Sequence, residues 1–179
     1  MNNGTEFVNY SQLIGKIDDK FAQIFERYRN SFQCQAGCYG CCKSGLTVSS
    51  VEAKFIEFWL KRNPSKVKGV KEALANKYFG KEYCGFLNEE GSCSIYEARP
   101  IVCRSHGAPT LVPSSSNETE NSAEFAQDVC PLNFSEGGLS NVASSHWIRL
   151  DTVSLLLKAV NREFNPQTVD IRVDLENIV

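Results

Sequence analysis

Residues 34–42 have the sequence CQAGCYGCC, so four cysteines fall within nine residues and the last two are adjacent. The other four cysteines are spread over a second stretch that contains Cys84, Cys93, Cys103 and Cys130. Neither stretch shows the hydrophobic periodicity of a helix or strand, so packing alone does not account for its folding. Disulfides, a catalytic redox pair or a bound metal could each stabilise such segments.

The start of the chain and its hydropathy bear on the compartment. MNNGTEFVNY has no basic segment followed by an apolar run, and the longest apolar candidate, VSLLLKAV, is far shorter than the roughly 18 residues of a membrane span. We therefore expect a cytoplasmic protein without a membrane segment. Thiols stay reduced in the cytosol, so the cysteines there indicate metal binding or catalysis rather than a disulfide network.

Length and charge narrow the classes further. A chain of 179 residues is near the usual size of one domain, so we expect a single domain over 1–179. Within it, 32–131 would be the cysteine-cluster core, flanked by helical elements at 1–31 and 144–179. The net charge of -2 gives no reason to expect a nucleic-acid partner.

The N-terminal segment, residues 7–32, has the pattern of a long amphipathic helix. Its apolar residues recur at steps of three and four along one stripe: Phe7, Tyr10, Ile14, Ile17, Phe21, Ile24 and Tyr28. The stripe predicts a helix that packs on the core. It also leaves open a homodimer or a partner helix docked through residues 7–28, because three heptads are enough for a short coiled coil.

The remaining pattern predicts a mainly α fold. Ser49 and Glu52 form a capping box before a helix, and Pro64 ends that helix or begins the next, over 65–79. Residues 146–164 predict another helix with a buried stripe at Val153, Leu156, Leu157, Val160 and Phe164. The segment 84–96 predicts a small β hairpin, 113–122 a polar loop, and Val169, Ile171, Val173 and Leu175 an edge strand. We expect a helical domain with a small irregular cysteine-rich region.

The cysteine spacing favours metal ligation. Cys38 and Cys41 form a C-x-x-C pair, which supplies two thiolates from one tight turn. The adjacent pair Cys41 and Cys42 diverges, so one small ion rarely takes both side chains. Either a second metal or a larger iron–sulfur cluster would use Cys42. Eight thiols could form two four-ligand sites, and the choice between zinc and iron stays open.

Basic and imidazole side chains follow the last cysteines. Arg99 and Arg104 flank Cys103 and could offset the negative charge of the thiolates. His106 lies three residues after Cys103 and could act beside the ligands or in place of one. We expect these three residues in a shell around the metal.

The cluster that ends in a vicinal pair, followed by CGFLNEEGSCSIYEARPIVCR, resembles the YkgJ-type, or CxxCxxCC, cysteine-cluster family over about 32–131. Its members are described as zinc- or iron-chelating proteins, and some as iron–sulfur oxidoreductases. The resemblance implies metal ligands at Cys34, Cys38, Cys41, Cys42, Cys84, Cys93, Cys103 and Cys130. It also implies that Tyr96, Arg99, Pro100 and Arg104 occupy framework positions of the family. Cys34 departs from the pattern, because three residues rather than two separate it from Cys38.

The sequence is consistent with three functions. The first is a cytoplasmic protein that chelates zinc or an iron–sulfur cluster through these thiolates. The second is an iron–sulfur oxidoreductase or group-transfer enzyme, because flagellin lysine methylases carry a related cysteine cluster. The third is a zinc-stabilised interaction module that docks a partner through residues 7–28. No catalytic residue is assigned in any of the three.

Overall fold

A computed structural model describes residues 4–114, 125–135, 138–168 and 171–179. Helix makes up 54% of the chain and strand 12%, which confirms the prediction of a mainly α fold with minor β structure. The chain divides into two compact units. Unit 1 comprises Met1–Ser11, Gln35–Pro100 and Val160–Val179, and unit 2 comprises Gln12–Cys34 and Ile101–Ala159. A single domain stays a prediction.

The N-terminal helix forms as the apolar stripe predicts, although it is shorter. Helix α1 runs over Val8–Arg27, after a 3-10 turn at Thr5–Phe7 and before another at Arg29–Ser31. The buried residues of the stripe are Phe7, Tyr10, Ile17 and Ile24, while the other three are half-buried. These four side chains are therefore covered within the chain itself.

The next two helices follow their predicted boundaries closely. Helix α2 covers Ser50–Arg62, and the Glu52 carboxylate accepts hydrogen bonds from the Ser49 N–H and hydroxyl, at 2.8 and 2.7 Å. Helix α3 covers Pro64–Asn76, with the proline in its first turn, where a missing N–H costs nothing. The capping box thus confirms the predicted start of α2.

Unit 1 is built around these two helices and a two-stranded sheet. Strand β1 (Thr47–Ser49) pairs antiparallel with β5 (Arg172–Asp174), with Val48 opposite Val173. The core consists of Val48, Ala53, Ile56, Leu60, Val70, Phe86, Ile95, Ala98 and Leu175. Phe7 also contacts the rings of Phe55, Phe58 and Phe164. Residues from both ends of the chain therefore complete this unit.

Unit 2 contains the short helix α4 (Ile101–Ser105) and a three-stranded sheet. Strand β2 (Thr110–Pro113) pairs antiparallel with β3 (Phe125–Asp128) and parallel with β4 (Ile148–Arg149). Unit 2 also contains an aromatic cluster, in which Phe32 contacts the rings of Phe21, Phe25 and Phe134. The predicted polar loop covers 113–122, and its residues 115–122 lie outside the described residues.

The last helix, α5 (Leu150–Phe164), differs from its predicted stripe. Val153 is buried, but Leu156 is 46% exposed, so its assignment to the buried face was wrong. The fully buried position is instead Asn161, whose Oδ1 accepts hydrogen bonds from the Ser50 hydroxyl and the Val51 N–H. The spacing of apolar residues cannot predict that a polar residue is buried and caps α2.

The C-terminal strand is shorter than the predicted alternation. Ile171 is half exposed and Leu175 is buried, while Val169 lies outside the described residues. Within the described ranges, no helix has both the length and the apolar character needed to cross a membrane.

Candidate metal centre

Unit 1 brings together the chain segments that carry five of the cysteines: Cys38, Cys41, Cys42, Cys84 and Cys93. A short backbone pairing connects the two cysteine stretches. Lys43 pairs antiparallel with Tyr83, and the Cys84 N–H donates to the Cys42 carbonyl at 3.0 Å. This pairing makes Cys42 and Cys84 neighbours although they are far apart in sequence.

The C-x-x-C segment is a succession of turns rather than a helix. The Cys38 N–H donates to the Gln35 carbonyl at 3.0 Å, and the Cys42 N–H donates to the Tyr39 carbonyl at 2.8 Å. Gly37 is the third residue of the first turn and has φ 82°, a conformation that a glycine adopts without strain. The three thiols of Cys38, Cys41 and Cys42 are thus presented from one compact loop.

The predicted hairpin is present in a minimal form. Leu87 and Cys93 form a single antiparallel bridge, and the Ser94 N–H donates to the Phe86 carbonyl at 2.8 Å. The Asn88 N–H donates to the Ser92 carbonyl at 2.9 Å across the turn. The chain therefore reverses between Cys84 and Cys93 and brings their side chains close enough to influence each other electrostatically.

The cysteine loop packs against the tip of this hairpin. A Cβ at Gly91 would lie 2.8 Å from Tyr39 Cδ1 and 3.1 Å from the Gly37 carbonyl oxygen, so only glycine permits the contact. The Tyr39 ring in turn packs on Phe79, with ring centroids 4.0 Å apart. The backbone at Gly91 and the ring of Phe79 therefore both pack against the loop 37–42.

Burial affects the two hairpin thiols. Cys84 and Cys93 pack against the apolar core of unit 1. Burial raises the pKa of the Cys84 thiol and raises the pKa of the Cys93 thiol to about 11, because desolvation disfavours a thiolate. In the metal-free protein both groups are thiols at neutral pH, and a metal that binds them must displace protons.

Tyr96 and Arg99 directly follow the hairpin in the chain, and their place around metal ligands stays a prediction. The Arg99 guanidinium stacks on the Tyr96 ring at 3.9 Å and donates to the Tyr96 carbonyl at 2.8 Å. Its charge acts to lower the pKa of Cys93, against the larger effect of burial. Tyr96 itself is 58% exposed, so this stack faces solvent.

Unit 2 contains the other three cysteines: Cys34, Cys103 and Cys130. Cys103 lies exposed on α4, and Cys130 is buried before the turn that contains Asn133. The Cys34 sulfur lies 3.2 Å from Nδ2 of Asn133. The structure thus assigns Cys34 to a different unit from the remainder of the CQAGCYGCC stretch.

The two remaining predicted neighbours of the ligands also belong to unit 2. Arg104 is buried and forms an ion pair with Asp18 of α1 at 2.6 Å. The guanidinium therefore connects α4 to α1. His106 is exposed at the end of α4. A role beside a metal stays a prediction for both residues.

The chemistry of the donor set fits a thiophilic metal. All eight cysteines are thiols in the structure, and thiolates are ligands of zinc and of iron–sulfur clusters. In the part of the chain that the structure describes, no three His, Cys, Asp or Glu side chains converge closely enough to ligate an ion as they stand. Ligation would therefore require the thiols to turn towards a common centre.

Comparison with protein families agrees with this donor set. A family model described as "putative zinc- or iron-chelating domain" matches residues 33–131, which is more than half of the chain. The chain belongs to the CxxCxxCC family. The CxxCxxCC match includes all eight cysteines as well as Tyr96, Arg99, Arg104 and His106. Searches of curated proteins and of solved structures found no match.

Two residues that contact the cysteine segments lie outside the CxxCxxCC match and were not predicted. Asn133 contacts Cys34, and the Glu176 carboxylate accepts a hydrogen bond from the Gly85 N–H at 2.9 Å, next to Cys84. The sequence offers no local signal for either contact, because each one joins residues about 90 or more positions apart.

Proposed function

We propose that this protein chelates zinc or iron through cysteine thiolates, and that the five-cysteine group of unit 1 forms the principal centre. Cys38, Cys41, Cys42, Cys84 and Cys93 would supply the ligands there. Cys34, Cys103 and Cys130 would supply thiolates for metal within unit 2. Tyr96 and Arg99 would lie beside the ligands of unit 1, and Arg104 and His106 beside those of unit 2.

The observation that carries this proposal is the backbone pairing of the two cysteine stretches. The hydrogen bond from Cys84 to Cys42 and the hairpin that returns to Cys93 bring three cysteine Cα positions into one small region. A cysteine sulfur is one rotatable bond from the backbone, so side-chain rotation can turn these thiols towards a common ion.

A second candidate is an iron–sulfur oxidoreductase or group-transfer enzyme. Cys41 is exposed whereas Cys42 is half-buried, so the vicinal side chains diverge. Five thiols in one unit also exceed the four that a closed zinc site uses. When bound, an iron–sulfur cluster would supply electron-transfer chemistry, and the chain would contribute the thiolates and the charge of Arg99.

The test is the metal content and visible spectrum of the full chain purified without oxygen or chelator. Colourless protein with zinc would support chelation, and brown protein with iron and acid-labile sulfide would favour the second candidate. Protein that folds with neither metal would overturn both. We expect the double substitution C84S/C93S to lose at least one metal per chain. S92A, in the same hairpin turn, should retain the wild-type content.

We also propose a cytoplasmic location, because a reducing compartment keeps eight thiols available for metal. A homodimer or a partner helix through residues 7–28 stays a prediction. It would require Phe7, Tyr10, Ile17 and Ile24 to be uncovered first. A zinc-stabilised interaction module would therefore need a different docking surface.

A further inference from the structure

Asn133 is a buried polar side chain with several hydrogen bonds beside a cysteine of unit 2. It is 2% exposed, and its Oδ1 accepts a hydrogen bond from the Gln33 N–H at 2.8 Å. Its Nδ2 donates to the Gly107 carbonyl at 2.7 Å. These two bonds fix the orientation of the amide, since reversing it would place donor against donor and acceptor against acceptor.

The fixed amide directs an N–H towards the sulfur of Cys34. Nδ2 lies 3.2 Å from Cys34 Sγ, whereas Oδ1 lies at 3.5 Å. A metal-bound thiolate can only accept hydrogen bonds, so only the contact with Nδ2 persists when Cys34 ligates a metal. Asn133 already uses its other Nδ2 hydrogen on Gly107, which leaves this one available for sulfur.

Cys34 is exposed, but the loop that follows α4 packs closely against one side of it. Gly107 has φ 95°, and a Cβ there would lie 3.3 Å from Cys34 Sγ and 3.4 Å from Asn133 Nδ2. The Asn133 N–H also donates to the Cys130 carbonyl at 2.8 Å. One buried residue thus joins the backbone beside Cys34, the turn that follows Cys130, and the loop that follows α4.

We propose that Asn133 is a positioning residue for the Cys34 thiolate, orienting the sulfur as a metal ligand through an N–H···S hydrogen bond. The inference rests on the proposed function, because it requires Cys34 to bind metal. Groups that hydrogen-bond to a ligand both orient it and tune its electron density, and their loss typically weakens metal binding about 10–100-fold. Withdrawal of electron density from sulfur also raises the energy of thiolate-to-metal charge transfer.

The test uses the full chain, stripped of metal and titrated with Co²⁺ without oxygen. We expect N133A to move the thiolate-to-Co²⁺ absorption band to longer wavelength and to weaken Co²⁺ binding about 10-fold. N133D, which retains the Oδ1 acceptor for Gln33 but has no N–H, should move the band in the same direction. If N133A fails to fold, N133D serves as the test variant instead.

Two controls separate positioning from a general loss of structure. N161A removes an equally buried asparagine that caps α2, and it should lower stability without moving the band. In a C34S background, N133A should no longer change Co²⁺ affinity or the spectrum, because the hydrogen-bonded sulfur is gone.

A wild-type spectrum without a thiolate band would overturn the proposed function and this inference together. A normal wild-type band that N133A and N133D leave in place would overturn the inference alone. So would an equal loss of affinity from N133A with and without Cys34.

Discussion

Gly91 is the residue at which the contact between hairpin and cysteine loop is most sensitive to a single methyl group. Its φ is 75°, and an added Cβ would lie 2.8 Å from the Tyr39 ring. We expect G91A to cost about 1–2 kcal/mol for the left-handed backbone and a further 1–3 kcal/mol for the collision. Urea unfolding of the metal-loaded protein measures this loss.

Gly45 provides the matched control. It also has a positive φ, of 73°, but no heavy atom lies within 4 Å of its added Cβ. G45A should therefore show only the backbone cost. Equal losses for G45A and G91A would mean that the packing of Gly91 on Tyr39 contributes nothing.

At the residue scale, the sequence identifies the candidate cysteine ligands but not the residues that contact them. The spacing of the cysteines and the segment CSIYEARPIVCR identify candidate ligands directly, whereas the stacking of Arg99 on Tyr96 was not predicted. Asn133 and Glu176 could not be found, because their roles arise from hydrogen bonds to segments distant in the chain. A buried amide or carboxylate has no characteristic sequence spacing.

Among the elements, the C-terminal turn at Leu175–Ile178 has a direct connection to the cysteine hairpin. Glu176 accepts hydrogen bonds from Lys77 at 2.7 Å and from the Gly85 N–H at 2.9 Å. Burial alone would raise the pKa of Glu176, but these hydrogen bonds and the Lys77 charge outweigh it, so the pKa lies below its ordinary value of 4.5. The folded protein therefore favours the ionised form of Glu176 more than the unfolded chain does.

We therefore predict that E176Q destabilises the protein in a pH-dependent manner. A lowered carboxyl pKa contributes stability above its unfolded value, and that stability disappears as pH falls through the folded value. The loss should be about 1 kcal/mol near pH 7, allowing for solvent around Lys77. It should begin to decrease as pH falls below the ordinary pKa of 4.5 and vanish below the lower pKa of the folded protein. Urea unfolding of both proteins from about pH 7 to 3 measures the difference.

E72Q is the control for a surface pair. Glu72 lies 3.7 Å from Lys68, and both side chains are largely exposed, so its loss should be near zero at every pH. A difference between wild type and E176Q that stays constant down to pH 3 would contradict the assigned role of the carboxylate.

Local patterns predict the helices well and the strand partners poorly. The capping box at Ser49 and the proline at 64 define α2 and α3 because both signals act within one turn. The pairing of β1 with β5 joins Val48 to Val173, and no local pattern specifies a partner at that distance. Leu156 was misassigned because apolar spacing alone cannot show that Asn161 takes the buried position in α5.

At the scale of the whole molecule, the account predicts that stability depends on metal. Structural zinc contributes about 10–16 kcal/mol in small domains, comparable with the roughly 5–15 kcal/mol that stabilises an entire domain. We expect removal of metal with a strong chelator to lower the free energy of unfolding by several kcal/mol and to disrupt unit 1. Thermal unfolding followed by circular dichroism, before and after chelation, measures this loss.

The C84S/C93S variant tests whether the loss arises at the proposed centre. If these thiols bind the metal, chelator should have a much smaller effect on the variant than on the wild type. An identical loss in both proteins would place the stabilising metal elsewhere in the chain.

The overall fold class and the family were accessible from the sequence, because both depend on patterns within short segments. The division into two units could not be predicted from the sequence. Five of the cysteines belong to one unit and three to the other. The boundary falls between Cys34 and Gln35, inside a motif that looks continuous in the sequence. Contacts with Asn133 and Gly107, rather than spacing, determine where Cys34 belongs.

The most direct measurement is X-ray absorption at the edge of whichever metal is purified with the full chain. If the thiolates of unit 1 bind it, the nearest shell will be dominated by sulfur, at about 2.3 Å for zinc. C84S/C93S should then lose sulfur from that shell or lose the metal altogether, whereas S92A should match the wild type. A shell of nitrogen and oxygen alone would contradict the central claim.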